Sequence, residues 1–464
     1  MNLTETLQRG ISLHQSGHLD EAIHCYRKAL KVQPENTAIL SNLGVALRAQ
    51  GRQDEAIASF REVLAINPAD AEAHYNLGNA LKGQGQLDEA VSSYRKAISI
   101  KPDFARSHYN LGNALKEHGR PDEAIASYRQ TIALKPDDAK AHYNLGKVLK
   151  DQGQLDEAVS SYRQAIAIAP EFAEAHQNLA NALKGQGKLD ETVASCRAVL
   201  ALRPDDAVAH YNLGIALRDL GKCDEAVSCF RAALAIEPEF AEAHHLIDSL
   251  LGHASKSAPR KYIERLFNSH AEDFEIQLVM QLGYKMPSKL KKVAAELGLT
   301  EEKYKNVLDL GCGTGLAGVA FRNVAESLVG IDVSENMVRE AEKKKIYDEL
   351  HVNDVIEGLE SLDTRFDLFV SADVLVYIGD LVPLFSSIKA HSTNNSLLIF
   401  STEHLESGDF ILQQTGRYAH SKDYILSVAA ESGFHLEYFA EAKLRKEKNN
   451  WIIGGIYILR SVDT

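Results

Sequence analysis

Cysteine is scarce in this chain, and long apolar runs do not occur. Its 464 residues include five cysteines, an odd number, with no Cys-x-x-Cys pair. This usage argues against a disulfide framework and favours a reducing compartment. No run of about 18 apolar residues is found, as a membrane-spanning helix would need, and the first residues lack the apolar core of a secretion signal. We therefore expect a cytoplasmic protein without membrane partners.

Basic charge is also in short supply. The formal net charge is −13, and the isoelectric point is about 5.8. A nucleic-acid groove needs a basic surface dense enough to displace counterions from phosphates. The charge balance therefore argues against a nucleic-acid partner. The chain is too long for one ordinary core, so its length predicts two folded units.

A period of 34 residues runs through the first half of the chain. Proline recurs at position 32 of every unit, and seven of the eleven prolines lie at this one phase. Because proline cannot continue a helix, each marks the turn between units. The seven units cover residues 3–36, 37–70, 71–104, 105–138, 139–172, 173–206 and 207–240.

Each unit has the pattern of two short helices. Residues 76–82 and 88–98 show helical spacing, and glycines separate them. Small residues at Gly78 and Ala90 allow the helices to touch, and Tyr94 fills the space between them. This pattern resembles the tetratricopeptide repeat. The resemblance implies an α-solenoid of helix pairs over residues 1–253, closed by one extra helix at 241–250.

The concave face of such a solenoid carries two polar ladders. Asparagine recurs at position 6 of the first helix, and lysine or arginine at position 12. Packed helices lie ~10 Å apart, whereas an extended peptide advances ~3.3 Å per residue. The asparagine amides of successive repeats would therefore meet about every third residue of a bound peptide. The asparagines resemble the ladder in the repeats of O-linked N-acetylglucosamine transferases, which hold extended polypeptide. The alternative is that these residues only solvate a groove. The candidate peptide-binding residues are Asn76, Asn110, Asn144, Asn178, Asn212, Lys82, Lys116 and Lys150.

Histidine recurs at position 4 and looks like a row of metal ligands. Zinc requires its nitrogen ligands ~2.1 Å away, and neighbouring repeats stand too far apart to share an ion. We therefore expect packing residues and no metal site. The row comprises His74, His108, His142, His176, His210 and His244.

Strands and helices alternate in the second half. This alternation predicts a mostly parallel α/β sheet, and the absence of a helix between the last two strands predicts a hairpin. Residues 254–290 are expected to form a linker and lid helices, with lid segments at 266–274 and 282–284, and residues 291–464 the α/β domain. The seven predicted strands are 306–310, 328–333, 349–352, 366–371, 396–401, 435–441 and 451–459.

A glycine-rich turn after the first of these strands indicates a nucleoside cofactor. The sequence Val307-Leu-Asp-Leu-Gly-Cys-Gly-Thr-Gly315 ends a buried strand and opens a helix, and residues without side chains let the backbone approach a ligand closely. Asp332 ends the next strand, where a carboxylate can accept two hydrogen bonds from a ribose diol. The competing interpretation is a nicotinamide enzyme, since Gly313 to Gly318 also spells G-x-G-x-x-G. Asp309 counts against it, because a buried acid would repel a pyrophosphate.

Two further motifs follow in order along the chain, Asn353-Asp354 and Phe366-Asp-Leu-Phe-Val-Ser-Ala-Asp373. Together with the glycine turn and Asp332, they resemble the motifs of class I S-adenosylmethionine-dependent methyltransferases, which have a Rossmann-like fold. The whole chain resembles bacterial methyltransferases that carry an N-terminal tetratricopeptide array. The resemblance implies S-adenosyl-L-methionine as cofactor. The residues expected to contact or orient it are Gly311, Gly313 and Gly315 on the methionine side, Asp332 at the ribose, Met337 and Asp354 at the adenine, and Asp309 at the ammonium or the loop.

Three side chains are candidates for acid–base work where substrate loops should follow the strands: Asp373, Tyr377 and His420. Arg417 could pair with an acidic acceptor. The chain lacks the Asp/Asn-Pro-Pro-Tyr/Phe and Pro-Cys motifs of DNA methyltransferases, which leaves a small molecule or a protein as methyl acceptor. The alternative function is an interaction scaffold whose second domain binds the cofactor without turnover.

Overall fold

The computed structural model describes residues 2–253, 255–268, 271, 274–275, 279, 283–447 and 450–462. Parts of the predicted lid segments, residues 269–270, 272–273 and 282, lie outside these described residues. The chain divides into two compact units, Met1–Gly221 and Lys222–Thr464. None of the helices in the described ranges combines the length and low polarity that a membrane span requires.

The first unit consists of antiparallel helix pairs, which confirms the solenoid predicted from the period. Its helices are α1 Leu3–Gln15, α2 Leu19–Leu30, α3 Thr37–Ala49, α4 Gln53–Ile66, α5 Ala71–Gly83, α6 Leu87–Ile100, α7 Ala105–Glu117, α8 Pro121–Leu134, α9 Ala139–Asp151, α10 Leu155–Ile168, α11 Ala173–Gly185, α12 Leu189–Leu202 and α13 Ala207–Asp219.

Close packing within most pairs depends on a glycine of the first helix and an aromatic ring of the second. Tyr128 is fully buried, and a Cβ added to Gly112 would stand 2.8 Å from its ring. Any larger residue would force the two helices apart. Aspartate caps the first helix of several units, as Asp138 does by accepting from the N–H of Ala141 at 3.1 Å.

An ion-pair ladder joins the second helices of successive repeats. Each arginine pairs with a glutamate 28 residues later, at 2.6 Å for Arg27–Glu55 and 2.6 Å for Arg129–Glu157. These side chains are about half exposed, so each pair contributes only ~0.2–1 kcal/mol to the free energy of unfolding. Further pairs at this spacing include Arg61–Glu89, Arg95–Glu123 and Arg163–Glu191.

The second unit begins with two helices that continue the repeat pattern and then forms an α/β domain. Its helices are α14 Cys223–Ile236, α15 Ala241–Leu251, α16 Arg260–Asn268, α17 Met286–Glu296, α18 Leu316–Phe321, α19 Glu335–Lys343, α20 Val355–Glu360, α21 Val382–Ala390 and α22 Lys422–Glu431. Its strands are β1 Tyr304–Leu310, β2 Ala325–Asp332, β3 Glu349–Val352, β4 Phe366–Ser371, β5 Ser392–Leu405, β6 Phe410–Leu412, β7 Tyr418–Ser421, β8 Phe434–Glu447 and β9 Asn450–Ser461.

The sheet has the order β3-β2-β1-β4-β5-β7-β6, and the β8–β9 hairpin pairs with β5 through β9. Strands β1 to β5 and β7 run parallel, whereas β9 is antiparallel to β5. The predicted α/β fold and hairpin are confirmed. The described sheet holds nine strands where seven were predicted, because β6 and β7 are short and were assigned to a loop.

Alternating residues of the central strands fill two cores, one on each face of the sheet. Leu308 and Phe369 face one hydrophobic cluster, while Val307 and Val370 face the other. Burial on both faces explains why consecutive residues such as Val307-Leu308 in β1 and Leu368-Phe369-Val370 in β4 are apolar. It also holds the carboxyl ends of these strands at one edge.

Candidate active site

A cavity of about 240 Å³ opens at the carboxyl ends of β1, β2 and β4. It lies where the strand order changes direction, since β2 and β4 flank β1 and continue to opposite sides. This is the position at which doubly wound sheets bind their ligands. The turn after β1 forms one wall, and helix α16 and the segment after β4 form others.

The glycine turn after β1 is built so that only glycine fits at its key positions. Gly311 has a φ of +71°, and an added Cβ would meet Cγ2 of Val374 at 2.2 Å. Gly313 has a φ of +51° and faces open space, with no heavy atom of the described chain within 4 Å of such a Cβ. The turn therefore presents bare backbone to the cavity.

Asp332, at the end of β2, is tied to this turn. Its Oδ2 accepts from the N–H of Gly313 at 2.8 Å, and its Oδ1 accepts from the N–H of Ser334 at 2.9 Å. Burial raises the pKa of Asp332, while these backbone donors lower it. Each carboxylate oxygen retains a lone pair for a further donor, which suits a vicinal diol.

Five of the seven predicted cofactor residues line one cavity: Gly311, Gly313, Asp332, Met337 and Asp354. Asp354 also caps α20, with Oδ1 accepting from the N–H of Ile356 at 2.9 Å. Met337 is buried on the first turn of α19. Their convergence agrees with a nucleoside lying across the ends of β1, β2 and β3.

The other two predicted residues, Asp309 in β1 and Gly315 before α18, are not among the residues that line the cavity. Gly315 caps α18 with a φ of +91°. Asp309 is only 1 % exposed, and its Oδ2 accepts from the hydroxyl of Tyr347 at 2.6 Å. Burial raises the pKa of Asp309 to about 7. Its Oδ1 has no hydrogen-bond partner in the described part of the chain, although Asp309 does not itself line the cavity.

The far end of the cavity holds a buried charge network around Asp373. This residue has a left-handed backbone with φ +62°, an arrangement that is strained for a residue with a side chain. Its carboxylate accepts from Ser401 Oγ at 3.0 Å and from Arg445 Nη1 at 2.9 Å. Arg445 also pairs with Glu403, which accepts from Arg417 Nε at 3.0 Å.

Arg445 was not anticipated from the sequence, because it comes from β8, 72 residues beyond Asp373. Burial alone would lower its pKa, but the charges of Asp373 and Glu403 raise it. The guanidinium therefore stays ionised beside the cavity. An arginine near the end of β8, between Leu444 and Lys446, gave no local signal of this role.

Aromatic rings cover the open side of the cavity. Phe267 of α16 meets Tyr377 edge to face at 5.5 Å between ring centroids, and Phe274 at 5.9 Å. Burial raises the pKa of Tyr377 to about 12 and that of Tyr284 well above its usual value. Both hydroxyls therefore stay protonated near neutral pH and can donate hydrogen bonds.

His420 was predicted on a substrate loop, and that prediction is wrong. It lies in β7 and is fully buried. Its Nε2 donates to the carbonyl oxygen of Ile378 at 2.8 Å, and its Nδ1 bonds Thr402 Oγ1 at 2.9 Å. Burial lowers the pKa of His420 to about 4. The ring braces the segment after β4 and does not line the cavity.

The asparagine ladder of the first unit has partners inside the array. Asn110 Nδ2 donates to the hydroxyl of Tyr75 at 3.2 Å, and Asn144 Nδ2 to that of Tyr109 at 2.8 Å. Each bond links one repeat to the preceding one. Asn178 repeats this contact with Tyr143 at 3.1 Å. The amide oxygen is then the atom that can accept from a bound peptide.

The basic ladder is partly paired with acids. Lys82 bonds Glu117 at 2.7 Å, and Lys150 lies 3.5 Å from Asp151. Burial is the main cause that lowers the pKa of Lys116. The histidine row has a structural role, since each Nε2 bonds a proline carbonyl six residues earlier, as His108 does with Pro102 at 3.0 Å.

The sheet order and the cavity at the strand ends define the class: a Rossmann-like α/β domain with a ligand site at its switch point, preceded by a helical repeat array. The chain matches the tetratricopeptide repeat over residues 7–71, 59–92, 109–173 and 171–239, the TPR repeat over 78–119, and the methyltransferase domain over 301–448. The protein is thus a fusion of a tetratricopeptide array with a methyltransferase domain. The cofactor of that domain is S-adenosylmethionine.

Similar curated proteins are methyltransferases. The ubiquinone biosynthesis O-methyltransferase of Coxiella burnetii is 29% identical over 119 residues, 25% of this chain and 50% of the relative. The malonyl-[acyl-carrier protein] O-methyltransferase of Hamiltonella defensa is 30% identical over 96 residues, 21% of this chain and 37% of the relative. The chain spans about half the length, or less, of these curated relatives.

Among solved structures, the array is similar to MamA and YrrB. MamA is 30% identical and covers 36% of this chain and 96% of its own, with a TM-score of 0.34. YrrB, described as a TPR protein with an unusual peptide-binding site, is 25% identical and covers 40% of this chain and 96% of its own, with a TM-score of 0.38.

Proposed function

We propose that this protein transfers a methyl group from S-adenosylmethionine to a small, largely apolar acceptor, while its repeat array binds an extended polypeptide. One observation carries the first part. The residues suited to the cofactor and the polar network around Asp373 line the same cavity. A scaffold that only bound the cofactor would not need a second, strained polar centre at the far end of that cavity.

The cofactor end is formed by backbone and by acidic groups. Gly311 and Gly313 allow close approach, Asp332 is placed to accept from the ribose, and Asp354 to accept from the base. The Asp309 carboxyl is buried at the end of β1 and has a pKa raised to about 7 by burial, so it would place negative charge near the turn above that pH. When bound, S-adenosylmethionine supplies an activated methyl group on a sulfonium, and transfer to an aligned nucleophile requires no covalent intermediate on the protein.

The acceptor end supports a small molecule. Apolar and aromatic side chains from Ile263, Phe267, Phe274 and Tyr284 line the walls. Asp373 is the acceptor-facing carboxylate, and it can take a hydrogen bond from an acceptor O–H or N–H. The hydroxyls of Tyr284 and Tyr377 act as donors that orient oxygen atoms. Two of the similar relatives are named as O-methyltransferases, which supports an oxygen nucleophile.

The test is transfer of label from methyl-labelled S-adenosylmethionine into a cell extract by the full chain. We expect label in a small organic-soluble species, and loss of this signal in Asp332→Ala. The exposed Asp363→Asn serves as the matched acidic control and should transfer label normally. Cofactor binding by calorimetry without any labelled product would favour the scaffold. Label in protein alone would overturn the small-molecule acceptor.

For the array, the support is the row of asparagine amides on the concave face. Their nitrogens are oriented by the tyrosines of the preceding repeat, which fixes the amide oxygens at regular intervals. An ordered acceptor row suits the N–H groups of an extended chain. The lysines beside them add positive charge at the same face.

The array proposal is tested by affinity capture with the full chain. Asn110→Ala/Asn144→Ala should lose bound polypeptides that the wild type retains. The Tyr75→Phe/Tyr109→Phe variant removes only the hydroxyls that orient the amides, and we expect an intermediate loss. Arg129→Ala, in the ion-pair ladder, is the control. Identical partners in all four proteins would overturn the proposal.

A further inference from the structure

Helix α15 follows the seventh repeat and keeps its spacing, but its inner positions differ from those of the earlier units. His245, Leu246 and Ser249 stand 170 residues, or five periods, after Tyr75, Asn76 and Asn79. In the array Asn76 belongs to the asparagine ladder, and Tyr75 and Asn79 both accept hydrogen bonds from Nδ2 of Asn110 in the next repeat. In α15 all three are buried, with exposures of 2 %, 0 % and 2 %. They are therefore covered by another part of the second unit.

The cover is the turn between β6 and β7. His245 Nε2 donates to the carbonyl oxygen of Gly416 at 2.9 Å, and Ser249 Oγ donates to that of Gln413 at 2.7 Å. Leu246 packs on the same turn, because a Cβ added to Gly416 would lie 3.3 Å from Leu246 Cδ2. The groove positions of α15 thus bind backbone carbonyl groups of this chain.

The turn leads directly into the cavity wall. Arg417 follows Gly416, lines the cavity, and bonds Glu403 at 3.0 Å. The N–H of Gln413 donates to the carbonyl oxygen of Arg417 at 2.8 Å, which closes the turn on itself. A shift of the turn would therefore move the Arg417 backbone and loosen the acceptor end of the network.

The same helix also holds α16. Glu242, which is 6 % exposed, pairs with Arg265 at 3.0 Å, and the ring of His245 lies 4.7 Å from that of Tyr262. Tyr262 and Arg265, three residues apart, lie on the face of α16 that contacts α15. Ile263 and Phe267, four residues apart, lie on a different face, which lines the cavity. Two cavity walls, the Arg417 turn and α16, therefore rest on one helix.

We propose that α15 sets the geometry of the acceptor end, with His245 and Ser249 acting as positioning residues through the Gln413–Arg417 turn and Glu242 through α16. This inference rests on the proposed methyl transfer for its kinetic consequence. The inference also predicts that α15 orders the Gln413–Arg417 turn, and this prediction does not depend on methyl transfer. Burying polar side chains at the end of a repeat array costs free energy unless they are hydrogen-bonded. Here each of them bonds a segment that forms a wall of the cavity.

The experiment compares His245→Ala and Ser249→Ala with His245→Gln, which keeps an N–H donor, and with the exposed control His253→Ala. Hydrogen exchange of the full chain is followed at residues 413–418 and 260–268. We expect faster exchange at the turn in both alanine variants and wild-type exchange in the control. His245→Gln should restore most of the protection.

Kinetics and calorimetry complete the test. Loss of one such hydrogen bond costs about 1.4 kcal/mol, which is roughly a tenfold change in a binding constant. We therefore expect KM for the labelled acceptor fraction to rise about tenfold in Ser249→Ala. Affinity for S-adenosylhomocysteine should change less than about twofold. Unchanged exchange at 413–418 would overturn the proposal, as would an equal loss of cofactor affinity. If the wild type transfers no label, the proposed function fails, and the exchange data still decide whether α15 orders the turn.

Discussion

The backbone N–H of Gly313 donates to Asp332 Oδ2 at 2.8 Å, so the turn after β1 and the carboxylate that ends β2 form one hydrogen-bonded unit. The second oxygen of Asp332 accepts from Ser334 at the start of α19. The ligand-facing carboxylate is therefore fixed before any ligand arrives. Such preorganisation reduces the entropy lost on binding.

Replacing Asp332 by asparagine should weaken cofactor binding. The amide would direct an NH₂ group at one of two backbone N–H donors, and it would lose the charge that strengthens both bonds. At ~1.5–3 kcal/mol for a charged hydrogen bond, we expect roughly 10–100-fold weaker binding of S-adenosylhomocysteine. Calorimetry measures this value. Asp363→Asn should bind like the wild type, and equal affinity in both variants would contradict the assignment.

Gly311→Ala should destabilise the second unit through a local clash. The new Cβ would meet Val374 Cγ2 at 2.2 Å in a left-handed backbone, which we expect to cost about 2–4 kcal/mol of unfolding free energy. Gly408→Ala has the same backbone strain but open space, and should cost about 1–2 kcal/mol. Denaturation is followed by the fluorescence of Trp451, the single tryptophan. Adding Val374→Ala to Gly311→Ala should recover part of the loss, and no recovery would show that the clash is not the cause.

Cofactor affinity should depend on the ionisation of Asp309. Its pKa is raised to about 7, mainly by burial, so the side chain is protonated below this pH and gains a negative charge above it. If the bound cofactor, which is a cation, lowers the pKa of Asp309 by one unit, the cofactor binds about tenfold more tightly to the ionised protein than to the protonated one. We therefore expect S-adenosylmethionine to bind roughly tenfold more tightly near pH 8 than near pH 6. Asp309→Asn should flatten this profile, and a variant with the wild-type slope would remove Asp309 from the site.

His420 should make the second unit sensitive to acid. Its pKa falls from 6.5 in the unfolded chain to about 4 in the folded one, so the unfolded state binds more protons between these values. Stability is then present above pH 6.5 and is lost as the pH falls towards 4, by about 3 kcal/mol. Urea titrations read by Trp451 fluorescence should show this slope in the wild type. His420→Gln should reduce this slope despite a lower stability at pH 7, and the lowered pKa of the buried His245 should account for part of what remains. His253→Gln should retain the full slope.

The repeat array was predictable because each landmark recurs in register. Proline, glycine and tyrosine at fixed positions specify the turn and the helix contact, and the structure has helices at these places. The inter-repeat bonds of the asparagines were not predictable in the same way. An amide at position 6 can donate to a peptide or to a neighbouring tyrosine, and the spacing alone does not distinguish these partners.

The cofactor end of the cavity was accessible from sequence for a similar reason. Gly311, Gly313 and Asp332 lie at strand ends, where apolar runs stop and parallel strands converge. The acceptor end was only partly accessible. Asp373 was found because it follows β4, and Tyr284 was predicted only as part of a lid segment. Arg445 was missed because it arrives from a distant segment. His420 was misplaced because β6 and β7, of three and four residues, are too short for a periodic signal.

The arginine–glutamate ladder of the array has a consequence for how such a chain can change in length. Every bridge joins a fixed position of one unit to a fixed position of the next, so duplication or deletion of a whole 34-residue block recreates the same pairing at the new junction. A change of any other size would leave unmatched charges and misaligned helices on both sides of the join. Descendants of this gene can therefore lengthen or shorten the solenoid in whole steps while every remaining repeat keeps a complementary neighbour.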